Sequence, residues 1–116
     1  MIIQFIPFIN PVVAGKLETW KNYVKEMKGP RNKELKESRK KLGLTIERVW
    51  LQNTPMGEYA VVYWEAKDIS KVFEGFMKSD APFDTWFKEK ILMEVHGMDF
   101  SKPLPPMNEL ILDFKA

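Results

Sequence analysis

The chain has 116 residues, about 45% apolar and 29% charged, with a formal net charge of +2, which is ordinary for one globular domain spanning residues 1–116. It contains no cysteine, which excludes disulfides, thiolate nucleophiles and cysteine metal sites, and its single histidine excludes a multi-histidine metal centre within one chain. Its first fifteen residues lack a basic leader, and Gln4, Pro7 and Asn10 interrupt their apolar run. Neither a signal peptide nor a membrane span is expected, and a cytoplasmic location follows.

Residues 2–9 form a short apolar run that predicts a first strand. From about Gly15 to Met27, Leu17, Trp20, Val24 and Met27 recur at helical spacing. An earlier helix start is also open, because Asn10 followed by Pro11 has the pattern of an N-cap with proline at the first helical position. Gly29-Pro30 ends this helix. A second piece, Arg31 to Leu42, is almost all charge, anchored by Leu35 and Leu42 and stopped by Gly43.

Thr45 to Ala66 reads as a hairpin turning at Thr54-Pro55-Met56-Gly57. If Asn53 and Glu58 close the loop, Gln52 faces Tyr59, Trp50 faces Val61 and Arg48 faces Tyr63, with Ile46 and Glu65 continuing the same side. Val49, Leu51, Ala60, Val62, Trp64 and Ala66 take the other side, with Glu47 at its margin. The second side is aliphatic and suits helices lying across it. The first is aromatic, and Arg48 and Glu65 stand on a cross-strand diagonal that predicts an ion pair.

Asp68 is placed as an N-cap for a strongly amphipathic helix carrying Ile69, Val72, Phe73, Phe76 and Met77. Ser79-Asp80-Ala81-Pro82 restarts a helix whose inner face is Phe83, Trp86, Phe87 and Ile91, ending near His96 with Gly97 as a left-handed cap. Residues 101–107 form a proline-rich connector, and Glu109 to Lys115 predicts a last strand.

The order strand, helix, strand, strand, helix, strand, with both helices split, is the α+β, ferredoxin-like βαββαβ plan. It predicts a four-stranded antiparallel sheet in the order 4-1-3-2. Helices on the aliphatic side leave the aromatic side bare, a patch larger than a soluble monomer ordinarily exposes, so a homodimer paired through its sheets is expected. On this plan, with strand IIQFIPFI, helix LETWKNYV, hairpin ERVWLQNTPMGEYAVVYWEA, helix PFDTWFKEKILMEVHG and strand NELILDF, the chain resembles the dimeric α+β-barrel superfamily. That group includes antibiotic-biosynthesis-monooxygenase-like proteins, ethyl-tert-butyl-ether-degradation-type proteins and many small bacterial families. The resemblance implies two facing sheets that enclose a ligand or substrate, with cofactor-independent monooxygenase- or isomerase-like chemistry. The superfamily's better-known catalytic arrangements have no residue-by-residue counterpart here.

The candidate site residues follow from the faces. Arg48 is the candidate anchor for the acidic group of an aromatic or lipophilic ligand, walled by Trp50, Tyr59 and Tyr63, and Glu65 or His96 is the candidate proton carrier. The competing readings are plain: a self-satisfied ion pair, interface aromatics in a non-enzymatic dimerisation module, and a histidine complementing a helix dipole. The basic run Arg31–Lys41 is read as a solvated helix face. Gly57–Trp64 partly matches an RNA-recognition core, but Gly57, Glu58 and Val61 fail where the chemistry lies, and Glu65 would meet phosphates. No nucleic acid, metal or cofactor is expected.

Overall fold

The computed structural model describes residues 2–104 and 106–116; Pro105, inside the expected connector, lies outside the described residues. In chain order the elements are β1 (Gln4–Pro11), α1 (Leu17–Lys28), α2 (Asn32–Leu42), β2 (Leu44–Thr54), β3 (Gly57–Ala66), α3 (Ile69–Lys78) and α4 (Pro82–Phe87). α4 continues into a π-helical segment, Lys88–Val95. The fold is α+β: an antiparallel sheet in the order β1-β3-β2, with helices packed on one face.

The hairpin has the expected register, Arg48 opposite Tyr63, Trp50 opposite Val61 and Gln52 opposite Tyr59. Pairing runs one step further, to Thr54 and Gly57. Thr54 Oγ1 donates to the Gly57 carbonyl at 2.8 Å and accepts from the Met56 amide, which closes the turn. Asp68 caps α3 by accepting from the Lys71 amide, and Gly43 ends α2 in the left-handed conformation. Both helical regions are split as expected.

Four expectations are corrected. β1 begins and ends two residues later than the run 2–9, so Asn10 and Pro11 belong to the strand and α1 starts at Leu17. Pro11 can occupy a strand because it needs no donor toward β3; the Val12 amide, on the bonding side, donates to the Glu58 carbonyl instead. Residues 108–116 carry no strand, and the sheet has three strands among the described residues. An alternating pattern makes a strand only where a neighbouring edge is engaged, and Leu110, Ile111, Leu112 and Phe114 are all strongly exposed.

The helix layer is also narrower than the aliphatic side suggests. Ala60, Val62, Trp64 and Ala66 of β3 are buried beneath it, whereas Val49 and Leu51 of the edge strand β2 remain exposed. Finally, α2 is not solvated all round. Arg39 shares a helical stripe with Leu35 and Leu42 and is only 8% exposed, its guanidinium 4.6 Å from the Phe87 ring centroid.

The core divides into two clusters. One joins Leu44, Val62, Trp64, Ala66, Ile69 and Val72; the other joins Trp20, Met27, Phe76, Phe83 and the inner residues of the π-helical segment. Residues of both clusters line the space described next.

Candidate functional site

Between the sheet's inner face and the helices lies a cavity of about 260 Å³. Its walls are mostly aromatic and aliphatic, with Phe8, Ala60 and Val62 from the sheet and Trp20, Phe76 and Ile91 from the helical side. Met98, Phe100 and Leu104 of the segment after the π-helix also border it. Four polar side chains on this wall are shielded from solvent to very different effect: Asn10, Arg39, Glu47 and His96.

Arg39 and Glu47 neutralise each other. Arg39 Nε donates to Glu47 Oε1 at 2.9 Å, and the Trp64 indole donates to Glu47 Oε2 at 3.0 Å, so both carboxylate oxygens are engaged. Beside them, Asp84 accepts from the hydroxyls of Ser38 and Ser79, joining α2, α4 and the end of α3. The Arg39–Glu47 pair adds no net charge to the cavity wall. Its chemistry is structural.

His96 and Asn10 are different. The π-helical segment reaches further back than an α-helix, the His96 amide donating to the Ile91 carbonyl, and left-handed Gly97 closes it with the Met98 amide donating to the Leu92 carbonyl. This winding buries Ile91, Leu92, Val95 and His96 together. His96 Nδ1 lies 2.8 Å from the Pro11 carbonyl. A carbonyl oxygen only accepts, so Nδ1 carries the proton and Nε2 presents a lone pair. Burial holds the imidazole below its ordinary value near 6.5, opposed by the bond to Pro11, so the ring is neutral at pH 7.

Neither His96 Nε2 nor the Asn10 side-chain amide has a hydrogen-bond partner among the described residues. No side-chain nitrogen or oxygen there is both sealed from solvent and unpaired, so both groups border open space. That space is the cavity, which both residues line. Beside the Arg39–Glu47 pair and Lys28, the wall therefore offers one acceptor and one amide on a mostly apolar surface.

The other face of the sheet carries the remaining expected residues. Arg48, Trp50, Tyr59, Tyr63 and Glu65 share it with Phe5 and Ile9 of β1. Phe5 is 63% exposed, Ile9 62% and Trp50 52%. The expected Arg48–Glu65 ion pair is absent. Glu65 Oε2 instead accepts from the Tyr63 hydroxyl at 2.5 Å, a bond that raises the Tyr63 phenol above its ordinary value. The register is the expected one, with Arg48 opposite Tyr63 and Ile46 opposite Glu65, so it is the Tyr63 hydroxyl that takes the carboxylate the diagonal would have given to Arg48. Arg48 has no ion-pair partner among the described residues.

His96 is thus not gathered with the Arg48 face; the sheet separates them. Asn10, Arg39 and Glu47 were missed as cavity residues, yet parity and period mark all three. Asn10 has the inward parity of Ile6 and Phe8, Glu47 that of Val49, and Arg39 sits at helical spacing from Leu35 and Leu42. Among the described residues, no three histidine, aspartate or glutamate side chains converge as metal ligands, and no helix is long and apolar enough to cross a membrane. Comparison of the chain with models of protein families, with curated proteins and with solved structures finds no match to it.

Proposed function

We propose that this protein binds a small, neutral, apolar molecule bearing a hydroxyl or similar donor, in the cavity between its sheet and helices. The observation that carries this reading is His96 Nε2, a lone pair with no partner among the described residues that borders open space on a mostly apolar cavity wall. An acceptor that faces a mostly apolar cavity without a protein partner favours a ligand that brings a donor. A cavity of about 150 Å³ holds benzene, so about 260 Å³ suits a molecule on the order of ten heavy atoms. Arg39 on this wall is neutralised by Glu47, which favours neutral ligands over acids, and Lys28 is the other cation among the lining residues.

Thermal-shift and NMR titration with naphthol, indole, cresols and medium-chain alcohols, alongside the corresponding carboxylates, tests this reading. Stabilisation by the alcohols, lost in His96→Phe, supports it; a uniform lack of shift across the set refutes it.

A second reading is favoured by the exposure of Phe5, Ile9 and Trp50 on one sheet face. Two copies packed through these faces form a cytoplasmic homodimer, as the ferredoxin-like plan suggests. In such a dimer the unpaired Arg48 suits the acidic group of an aromatic ligand, with Trp50, Tyr59 and Tyr63 as walls. Oxygenase- or isomerase-type proton transfer there would fall to Glu65, since His96 lies behind the sheet. A fully packed interface would make the face a non-enzymatic dimerisation surface.

A further inference from the structure

We propose that the C-terminal segment, residues 108–116, is an arm that pairs with the free edge of β1 in a second copy of this chain and becomes the fourth strand of that copy's sheet. The proposal rests on the self-association described above and adds an edge contact to it.

Three observations converge. First, the segment has the alternation of a strand, with Leu110, Leu112 and Phe114 on one side and Glu109, Ile111 and Asp113 on the other, yet its large apolar residues are 71–90% exposed in its own chain. Second, β1 is an edge strand with an unused side. The Val12 amide bonds the Glu58 carbonyl, so even-numbered residues of β1 turn their backbone groups toward β3 and odd-numbered ones turn them outward. The outward set contains Pro7 and Pro11, which lack an N–H, and Phe5 and Ile9, which have one to give. The edge is therefore competent for pairing but restricted in register.

Third, the segment starts at this edge: the Asn108 side-chain amide donates to the Pro7 carbonyl. Held opposite Pro7, an antiparallel tail of the same chain meets only the first half of β1 before that strand runs out. A tail arriving from a second copy is not pinned there and can use the whole of Gln4–Pro11. Exchange restores the order 4-1-3-2 with the fourth strand supplied in trans, and covers exposed apolar surface on both copies.

The test uses the full-length chain, and its lack of cysteine makes labelling clean. Asp113→Cys carrying a nitroxide is refolded at equal ratio with cysteine-free, ¹⁵N-enriched wild-type chain. Broadening of the Phe5 and Ile9 amides in the ¹⁵N copies is expected. Broadening seen only when the ¹⁵N chain carries its own nitroxide puts the tail on its own β1 and overturns the proposal, as does broadening confined to the β2 edge. In parallel, sedimentation of full-length Leu110→Ser/Leu112→Ser/Phe114→Ser should show dimer affinity weakened by at least about a hundredfold. An unchanged dimer overturns the arm while leaving face-to-face association standing. A wild-type chain that is monomeric at micromolar concentration removes both.

Discussion

The Arg39 guanidinium lies 2.9 Å from the Glu47 carboxylate, tying a helix whose sequence is almost wholly charged to the inner face of the sheet. Because both side chains are largely shielded, removing one leaves the other buried and unpaired. Glu47→Leu alone or Arg39→Met alone is expected to cost about 3–5 kcal/mol, whereas the double replacement costs clearly less than either. Urea unfolding of the three variants checks this; a double variant as weak as the sum of the singles contradicts it.

Acid sensitivity should report on His96. Its folded value lies below the unfolded one near 6.5, so between the two the unfolded chain binds a proton that the native chain does not. Stability therefore rises with pH across that window and is lost as pH falls from about 6.5 through the folded value, by at most about 1.4 kcal/mol per unit. With one histidine in the chain, the difference between wild type and His96→Gln isolates the effect between pH 7 and 5. Parallel curves for the two proteins contradict the assignment.

Filling the cavity should separate stability from binding. Ala60 is 1% exposed and lies on the cavity wall. Ala60→Leu is expected to unfold no earlier than wild type and to lose the thermal shift given by any cavity ligand. In a solid core the same change would overpack, costing about 1–3 kcal/mol. The urea midpoint decides between them.

On the opposite face, Trp50→Glu should abolish self-association without disturbing the monomer. Trp50 is half exposed, so the unfolding midpoint of dilute protein should stay within about 0.5 kcal/mol of wild type. Sedimentation at several concentrations reads the first half of the prediction and dilute denaturation the second.

Gly97, with φ of +69°, follows His96 at the end of the π-helical segment, and a Cβ there would stand 3.1 Å from the Val13 side chain. Gly97→Ala should therefore destabilise by about 1–2 kcal/mol and displace His96 enough to weaken ligand shifts. A neutral effect on both would show that the turn tolerates another conformation.

What the sequence disclosed tracks how local each cause is. The β2–β3 register, the Asp68 and Gly43 caps and the two split helical regions depend on neighbours within a few residues, and all were legible. The missing Arg48–Glu65 pair was not, because the Tyr63 hydroxyl, two residues away on the same strand face, engages the Glu65 carboxylate. Arg39 was read as solvated because composition outweighed its spacing from Leu35 and Leu42. The π winding before His96 and the cavity have no sequence signature, since both are properties of how separate elements meet. The last strand failed for a related reason: Leu110, Leu112 and Phe114 specify a strand but not the edge it joins.

The edge-on contact of the Trp20 and His96 rings, 5.7 Å between centroids, makes the site optically readable. A protonated imidazole quenches a neighbouring indole's fluorescence far more than a neutral one does. Trp20 emission therefore dims as His96 gains its proton, and a ligand donor held on Nε2 opposes that dimming. Occupancy and protonation at the cavity can be followed by light, as the part of the emission that Trp20→Phe removes from a chain of four tryptophans.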